Sequence, residues 1–255
     1  MLTFQSGGVT LAYIDVAATT RETGVPVLLI HGFGSSHIVN WVNTGWVRAL
    51  VHAGRRVIAF DNRGHGESQK LYDPADYATP KMARDALNLL DHLGVPEADV
   101  MGYSMGARIA AFLALAHADR VRRLILGGLG HHLVDGVGLP LEIAEAMEAP
   151  ALESLTDPIQ RMFRRFADQN RSDLRALAAC IRGSRQTLSE NQTMGIRART
   201  LIAIGTKDNV AGDPHRLAAM FPFARAFEIE DRDHNLAVGD KSYKAAVLDF
   251  IGEAE

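Results

Sequence analysis

Val100-Met101-Gly102-Tyr103-Ser104-Met105-Gly106-Ala107-Arg108, continuing as Ile109-Ala110-Ala111-Phe112-Leu113-Ala114-Leu115, is the stretch from which the rest of the chain is read. An apolar run meets a serine between two glycines and a longer apolar run follows, which predicts strand, sharp turn and helix. A serine hydroxyl is a weak nucleophile until the backbone lifts it clear and a base takes its proton. Gly102 and Gly106 permit this, because side chains two positions either way would collide with the turn or the next helix. Ser104 is then expected at a helix N-terminus, where free N–H groups, Met105's among them, face developing negative charge. Five positions with three fixed also arise by chance as a small-residue turn, so other segments have to decide.

At 255 residues, with 47% apolar side chains, the chain has enough material for one large α/β domain with an insertion, or for two small domains. A formal net charge of −3 gathers neither nucleic acid nor an anionic membrane, so neither is expected as a partner. The single cysteine, Cys180, has no internal partner, and no C-x-x-C or H-E-x-x-H spacing offers a metal site. No metal or cofactor is expected, and a cytoplasmic location is the default. Met1 to Gly8 lacks a basic segment followed by an apolar stretch, and no run nears the roughly 18 apolar residues of a membrane span.

Residues 3–16 alternate around Gly7-Gly8 and read as a hairpin at a sheet edge. Val25 to Ile30 is a continuous apolar run, as of a strand covered on both faces, and ends at His31-Gly32-Phe33-Gly34-Ser35-Ser36. That loop fails the G-x-G-x-x-G spacing and carries no Walker lysine, so a backbone donor over a reacting carbonyl, the N–H of Phe33, fits better than a phosphate cradle. His31 reads as a turn-stabilising residue, and Trp41 and Trp46 as core. A strand from Arg56 to Phe60 precedes Asp61-Asn62-Arg63-Gly64-His65-Gly66-Glu67-Ser68, where Asp61 and Arg63 are expected to satisfy each other or nearby backbone. Thr79-Pro80 is expected to cap a helix carrying Met82, Ala86, Leu89, Leu90 and Leu93, closed by Gly94. The sustained alternation of strand and helix implies a parallel sheet covered on both faces.

Between about Gly130 and Arg197 the strands stop and helix-period stripes appear: Ile159, Met162, Phe163, Phe166, then Leu174, Leu177, Ala178, Ile181. We read residues 130–197 as an inserted helical cap on a core of residues 1–129 and 198–255. The stripes are first of all packing surfaces, and their placement near Ser104 also makes them candidate pocket walls. Arg161, Arg164, Arg165, Arg171, Arg175, Arg182 and Arg185 would attract an anion, but at these spacings most should be solvated. His131-His132 reads as a loop pair. Beyond the insertion Thr200 to Gly205 resumes the sheet and ends at Thr206-Lys207-Asp208-Asn209. The last strand, Ala224 to Ile229, leads to Asp231-Arg232-Asp233-His234.

Ser104, Asp208 and His234 thus occur in the order nucleophile, acid, base, each just past the end of a strand. With His31-Gly32-Phe33-Gly34, the Asp61–Ser68 turn and Gly102-Tyr103-Ser104-Met105-Gly106, the chain resembles the α/β-hydrolase family, and within it the small capped serine esterases, enol-lactone hydrolases and non-metal haloperoxidases. The resemblance covers nearly everything except the insertion. It departs at Asp233, where a glycine is common before the histidine, leaving Asp213 and Asp240 as spare acids. It implies a mostly parallel eight-stranded sheet flanked by helices, and a Ser-His-Asp mechanism. In that mechanism His234 removes the Ser104 proton, Asp208 orients the imidazole, and the N–H groups of Phe33 and Met105 form the oxyanion hole. His31, Gly32, Asp61, Arg63, Gly102 and Gly106 give structural support. The expected partner is a small, largely apolar ester or lactone. Rivals on the same residues are C–C bond hydrolysis, perhydrolysis, hydroxynitrile cleavage, and a sensor that binds its ligand without turnover.

Overall fold

A computed structural model describes residues 1–136 and 138–254. Eight strands, β1 (Leu2–Ser6), β2 (Val9–Val16), β3 (Val27–Ile30), β4 (Val57–Phe60), β5 (Ala98–Tyr103), β6 (Val121–Gly127), β7 (Arg199–Gly205) and β8 (Ala224–Ile229), form one sheet in the order β1-β2-β4-β3-β5-β6-β7-β8. The first two pairings, β1 with β2 and β2 with β4, are antiparallel, and the remaining five are parallel. The Gly7-Gly8 hairpin therefore does lie at the sheet edge, and the mostly parallel sheet is as the resemblance implied.

Among the described residues ten α-helices accompany the strands: α1 (Trp46–His52), α2 (Thr79–His92), α3 (Met105–Ala116), α4 (Glu142–Glu148), α5 (Pro158–Gln169), α6 (Leu174–Gly183), α7 (Glu190–Gly195), α8 (Pro214–Ala218), α9 (His234–Ala237) and α10 (Lys241–Gly252). Two apolar clusters cover the two sheet faces, and β3 shows why its sequence has no polar positions. Leu28 and Ile30 pack with α2 and α3, Val27 and Leu29 with α1 and α10, and all four are fully buried. Burying such side chains contributes about 1.5–3 kcal/mol each. Trp41 and Trp46 lie in the second cluster, as core.

Between β6 and β7 the chain is helical only, with α4 to α7 among the described residues. The α5 stripe turns Phe163 inward, while Ile159 at its start is exposed. Thr79 does not cap α2. Ala78 holds the cap position without a side-chain bond, and the Thr79 N–H donates instead to Gln186 Oε1, at 2.6 Å, across from the insertion. Gly94, with φ +62°, does close that helix, in the left-handed conformation that favours glycine.

Candidate active site

Ser104 joins β5 to α3 with φ 54° and ψ −115°, an unfavourable conformation for a residue with a side chain. Neighbouring contacts hold it there. The Ser104 N–H donates to Gly127 O at 2.7 Å, which ties the turn to β6. A Cβ on Gly102 would lie 2.1 Å from Gly106 O, and one on Gly106 only 2.0 Å from Ile30 O. Glycine at these two positions lets α3 start against its own strand and against the end of β3 at once.

His234 reaches Ser104 from just past the end of the last strand. His234 Nε2 lies 3.0 Å from Ser104 Oγ, and His234 Nδ1 lies 2.7 Å from Asp208 Oδ2. Because the carboxylate accepts, Nδ1 carries the proton and Nε2 is left to accept the serine hydroxyl. The other Asp208 oxygen accepts the N–H groups of Val210 and Ala211, at 2.9 and 3.0 Å, so this buried carboxylate has no rotational freedom. Tyr103, beside the nucleophile, donates its hydroxyl to His234 O at 2.6 Å and fixes the histidine's backbone. The unusual Asp233 caps the short α9 by accepting from Asn235 and Leu236 N–H, so a helix cap replaces the glycine. The spare acids are used elsewhere: Asp213 caps α8, and Asp240 caps α10 and pairs with Arg232.

No hydrogen bond within the chain, among the described residues, uses the N–H of Phe33 or of Met105. Both residues flank Ser104 on the wall of one cavity. Behind Phe33 the loop is clamped on both peptide planes. His31 Nδ1 donates to Gly32 O at 2.7 Å while its Nε2 accepts the Asn62 N–H at 2.9 Å, and Asn62 Nδ2 donates to His31 O at 3.0 Å. Burial outweighs the nearby Asp61 carboxylate and lowers the His31 imidazole to about 4, so it is neutral at pH 7 and keeps that tautomer. His65, also buried, is held at about 3 by its burial and then by His31, and donates Nδ1–H to Arg63 O. Neither histidine is placed to act as a base on Ser104.

Asp61 and Arg63 do not satisfy each other. Asp61 accepts from His37 Nδ1 and from the backbone N–H groups of His37 and Glu67, at 2.7–2.8 Å. Burial pushes this carboxyl up, but the His37 bond, the His31 and His37 charges and the Glu67 N–H together bring it to about 2. Arg63 reaches Asp85 on α2 through two bonds of 2.7 Å, a bidentate pair that residue spacing in the turn does not reveal.

Two cavities meet at Phe33 and Ser104. The inner one is lined by Leu129, Leu139, Ile181 and Val210 together with Arg108 and Arg185. The outer one, about 200 Å³, is lined by His234, by Met162, Phe163 and Phe166 of α5, and by Asn40. Of the insertion's arginines, Arg165, Arg171, Arg175 and Arg182 are exposed as expected. Arg164 is buried on Asp168 and two carbonyls, and Arg161 and Arg185 are half-buried on carbonyls. His131 and His132 open a 3₁₀ turn, His131–Leu133, where a plain loop was expected, and Nδ1 of each engages backbone, at Asp213 and Val210.

Two residues escape the sequence reading. Arg108 lies one turn into α3, where its guanidinium donates to the carbonyls of His132, Leu133 and Gln186, two distant parts of the segment between β6 and β7; its place inside an apolar helix run was the available signal. Asn40, a buried amide within the apolar run Ile38 to Val42, accepts the Gly32 N–H.

A family model described as the α/β hydrolase fold matches residues 25–146. The 2-hydroxymuconate semialdehyde hydrolase of Pseudomonas putida is 31% identical over 214 residues, covering 83% of this chain and 64% of that protein. The enzyme of the same name from Pseudomonas sp. strain CF600 is 36% identical over 126 residues, covering 49% of this chain and 41% of its own length. The matched segments thus span less than two thirds of both curated relatives. A hydrolase structure from Pseudomonas aeruginosa superposes with a TM-score of 0.80 at 26% identity, over 99% of this chain and 98% of that one.

Proposed function

Because the chain belongs to the α/β-hydrolase fold family, we propose that it is a serine hydrolase that cleaves small to medium, largely apolar carboxylic esters or lactones through an acyl-enzyme. The observation that carries this reading is the continuous line from Asp208 through His234 to Ser104 at 2.7 and 3.0 Å, ending between two unspent amide donors. In the reaction His234 Nε2 takes the Ser104 proton as Oγ attacks the acyl carbon, and Asp208 stabilises the imidazolium. The tetrahedral oxyanion is held by the Phe33 and Met105 N–H groups, each worth about 3–4 kcal/mol in comparable sites. The imidazolium protonates the leaving oxygen. Water, deprotonated by His234, then attacks the ester carbonyl and frees Ser104 and the acid. The largely apolar walls of the two chambers accommodate an acyl group on one side of Ser104 and a leaving group on the other.

A second reading, C–C bond hydrolysis of a keto acid by the same residues, is favoured by one observation. Arg108 and Arg185 line the inner chamber, and neither has a carboxylate within ion-pair distance among the described residues. Burial, and then the neighbouring Arg185 charge, lowers Arg108 to about 10, so it remains cationic at pH 7. The relatives named for 2-hydroxymuconate semialdehyde hydrolysis point the same way.

The deciding experiment compares kcat/KM for p-nitrophenyl butyrate, a γ-lactone and 2-hydroxymuconate semialdehyde under one set of conditions. Faster ester or lactone turnover supports the first reading, and faster semialdehyde cleavage the second. No turnover of any of them, with no labelling of Ser104 by a fluorophosphonate, overturns both.

A further inference from the structure

We propose that Asn40 is a positioning residue that fixes the Phe33 amide for transition-state stabilisation, and that it acts from the wall of the outer substrate chamber. This inference rests on the serine hydrolase reading. Its starting point is a short π-helical turn, Ile38–Val42, in which the Asn43 N–H closes on Ile38 O at 2.9 Å. Such wide turns have poorer geometry than the α-helix and recur at functional sites. Here the turn leaves Ile38 and Val42 exposed while burying Asn40 and Trp41.

A polar amide buried in an apolar run is costly unless its hydrogen bonds are made. Asn40 Oδ1 accepts the Gly32 N–H at 3.0 Å, so the peptide plane before Gly32 is held at its nitrogen by Asn40 and at its oxygen by Asn62. The next plane, which carries the Phe33 N–H, is held at Gly32 O by His31. With both planes held, that amide has one direction in which to point, which is the preorganisation an oxyanion donor needs. Of the three side-chain clamps, Asn40 is the one that also lines a substrate chamber.

The π turn is itself held from behind. Asp61 accepts from both the backbone N–H and Nδ1 of His37, the residue that precedes the turn. The polar turn after β4 is thereby linked, through His37 and Asn40, to the loop that follows β3. This gives Asp61 a defined function in bracing the oxyanion loop.

The test uses the full chain with Asn40→Ala, read three ways: kcat and KM on p-nitrophenyl butyrate, the inhibition constant of butylboronic acid, and hydrogen exchange of the 31–35 segment by mass spectrometry. Loss of an oxyanion donor itself costs about 100- to 1000-fold, so loosening one should lower kcat about 10- to 100-fold. KM should stay within about twofold, since the ground-state contacts remain. The boronate, which forms a tetrahedral anionic adduct on serine, should weaken by a similar factor to kcat, and 31–35 should exchange faster while the strands do not. Unchanged boronate affinity, a loss confined to KM, or unaltered exchange at 31–35 would each overturn the role. If the alanine variant does not fold, Asn40→Ser, whose shorter side chain falls short of Gly32 N, carries the same readings. Failure of the hydrolase reading is separately visible, as absence of ester turnover and of Ser104 labelling in the parent protein; the exchange measurement then still decides whether Asn40 fixes the loop.

Discussion

The two walls of the chambers beside Ser104 are built differently. On the sheet side, Gly32, Phe33, Ser104 and His234 follow the C-terminal ends of strands, and hydrogen bonds hold Gly32, Ser104 and His234 in place. On the helical side, Met162, Phe163 and Phe166 form the inward stripe of one amphipathic helix. That helix is retained by Phe163 in the core and by Arg161 and Arg164, which donate to carbonyls of the segment that precedes it. The sheet wall permits almost no displacement, because reaction requires particular atoms at particular distances. The helical wall needs only apolar area at about the right place, which many sequences supply.

The strongest way to break this contrast is Ser104→Ala. If the sheet wall performs the chemistry, turnover should fall by at least ~1000-fold while Tm stays within a few degrees and substrate still binds. Retention of most activity would move the chemistry elsewhere. Gly106→Ala tests the same wall for fit instead of chemistry. The new Cβ would sit 2.0 Å from Ile30 O and 2.6 Å from His31 O, both backbone atoms that cannot step aside. A loss of about 3 kcal/mol or more is expected, which lowers Tm by about 10 °C or prevents accumulation of folded protein. A melting curve like the parent's would mean that the contact between α3 and β3 is looser than these distances.

This contrast also explains what could be read from the chain. Gly102, Ser104 and Gly106 were legible because the elbow is a backbone shape that few side chains tolerate, and the acid and histidine were legible because strand ends are marked by apolar runs. The Arg63–Asp85 pair was not, since nothing local says which of several carboxylates a turn will face. Asp233 as a helix cap was legible in principle, three residues before Leu236, but the resemblance to other chains drew attention to the missing glycine instead. The apolar stripes at 159–166 and 174–181 announced burial. They did not announce which members would reach the chamber, because periodicity defines a face of a helix and not what lies opposite.

Acid should destabilise the sheet side first. Folded His31 and His65 bind protons only near pH 4 and pH 3, whereas the unfolded chain binds them near the ordinary imidazole value of about 6.5. Their depressed values mean that the unfolded state holds more protons below pH 6.5, so stability is full above that pH and declines as it falls toward 4. For His31 the shift corresponds to about 3 kcal/mol over that interval. Asp61, held at about 2, adds its own loss only once pH drops below the carboxylate's ordinary value, so the two phases separate. Urea midpoints at pH 7.5, 6 and 5 should decrease in that order, and His65→Gln should flatten the slope. A midpoint independent of pH in this range would show that these imidazoles are hydrated.

The smallest effect is expected on the helical wall, and it is the one that distinguishes a specificity surface from a catalytic one. Phe166 covers Gly34, where an added Cβ would touch its ring at 3.4 Å, and lines the outer chamber while remaining partly exposed. Phe166→Ala should leave kcat within about twofold, because the ring contacts ground state and transition state alike. Its lost contact area corresponds to about 1 kcal/mol, or roughly a fivefold rise in KM for a substrate long enough to reach it. A short ester with a small leaving group should show no change. A fall in kcat shared by short and long esters would mean that α5 helps to set the geometry at Ser104, and the division between the two walls would then fail at the contact between Phe33 and Phe163, whose ring centroids lie 6.1 Å apart.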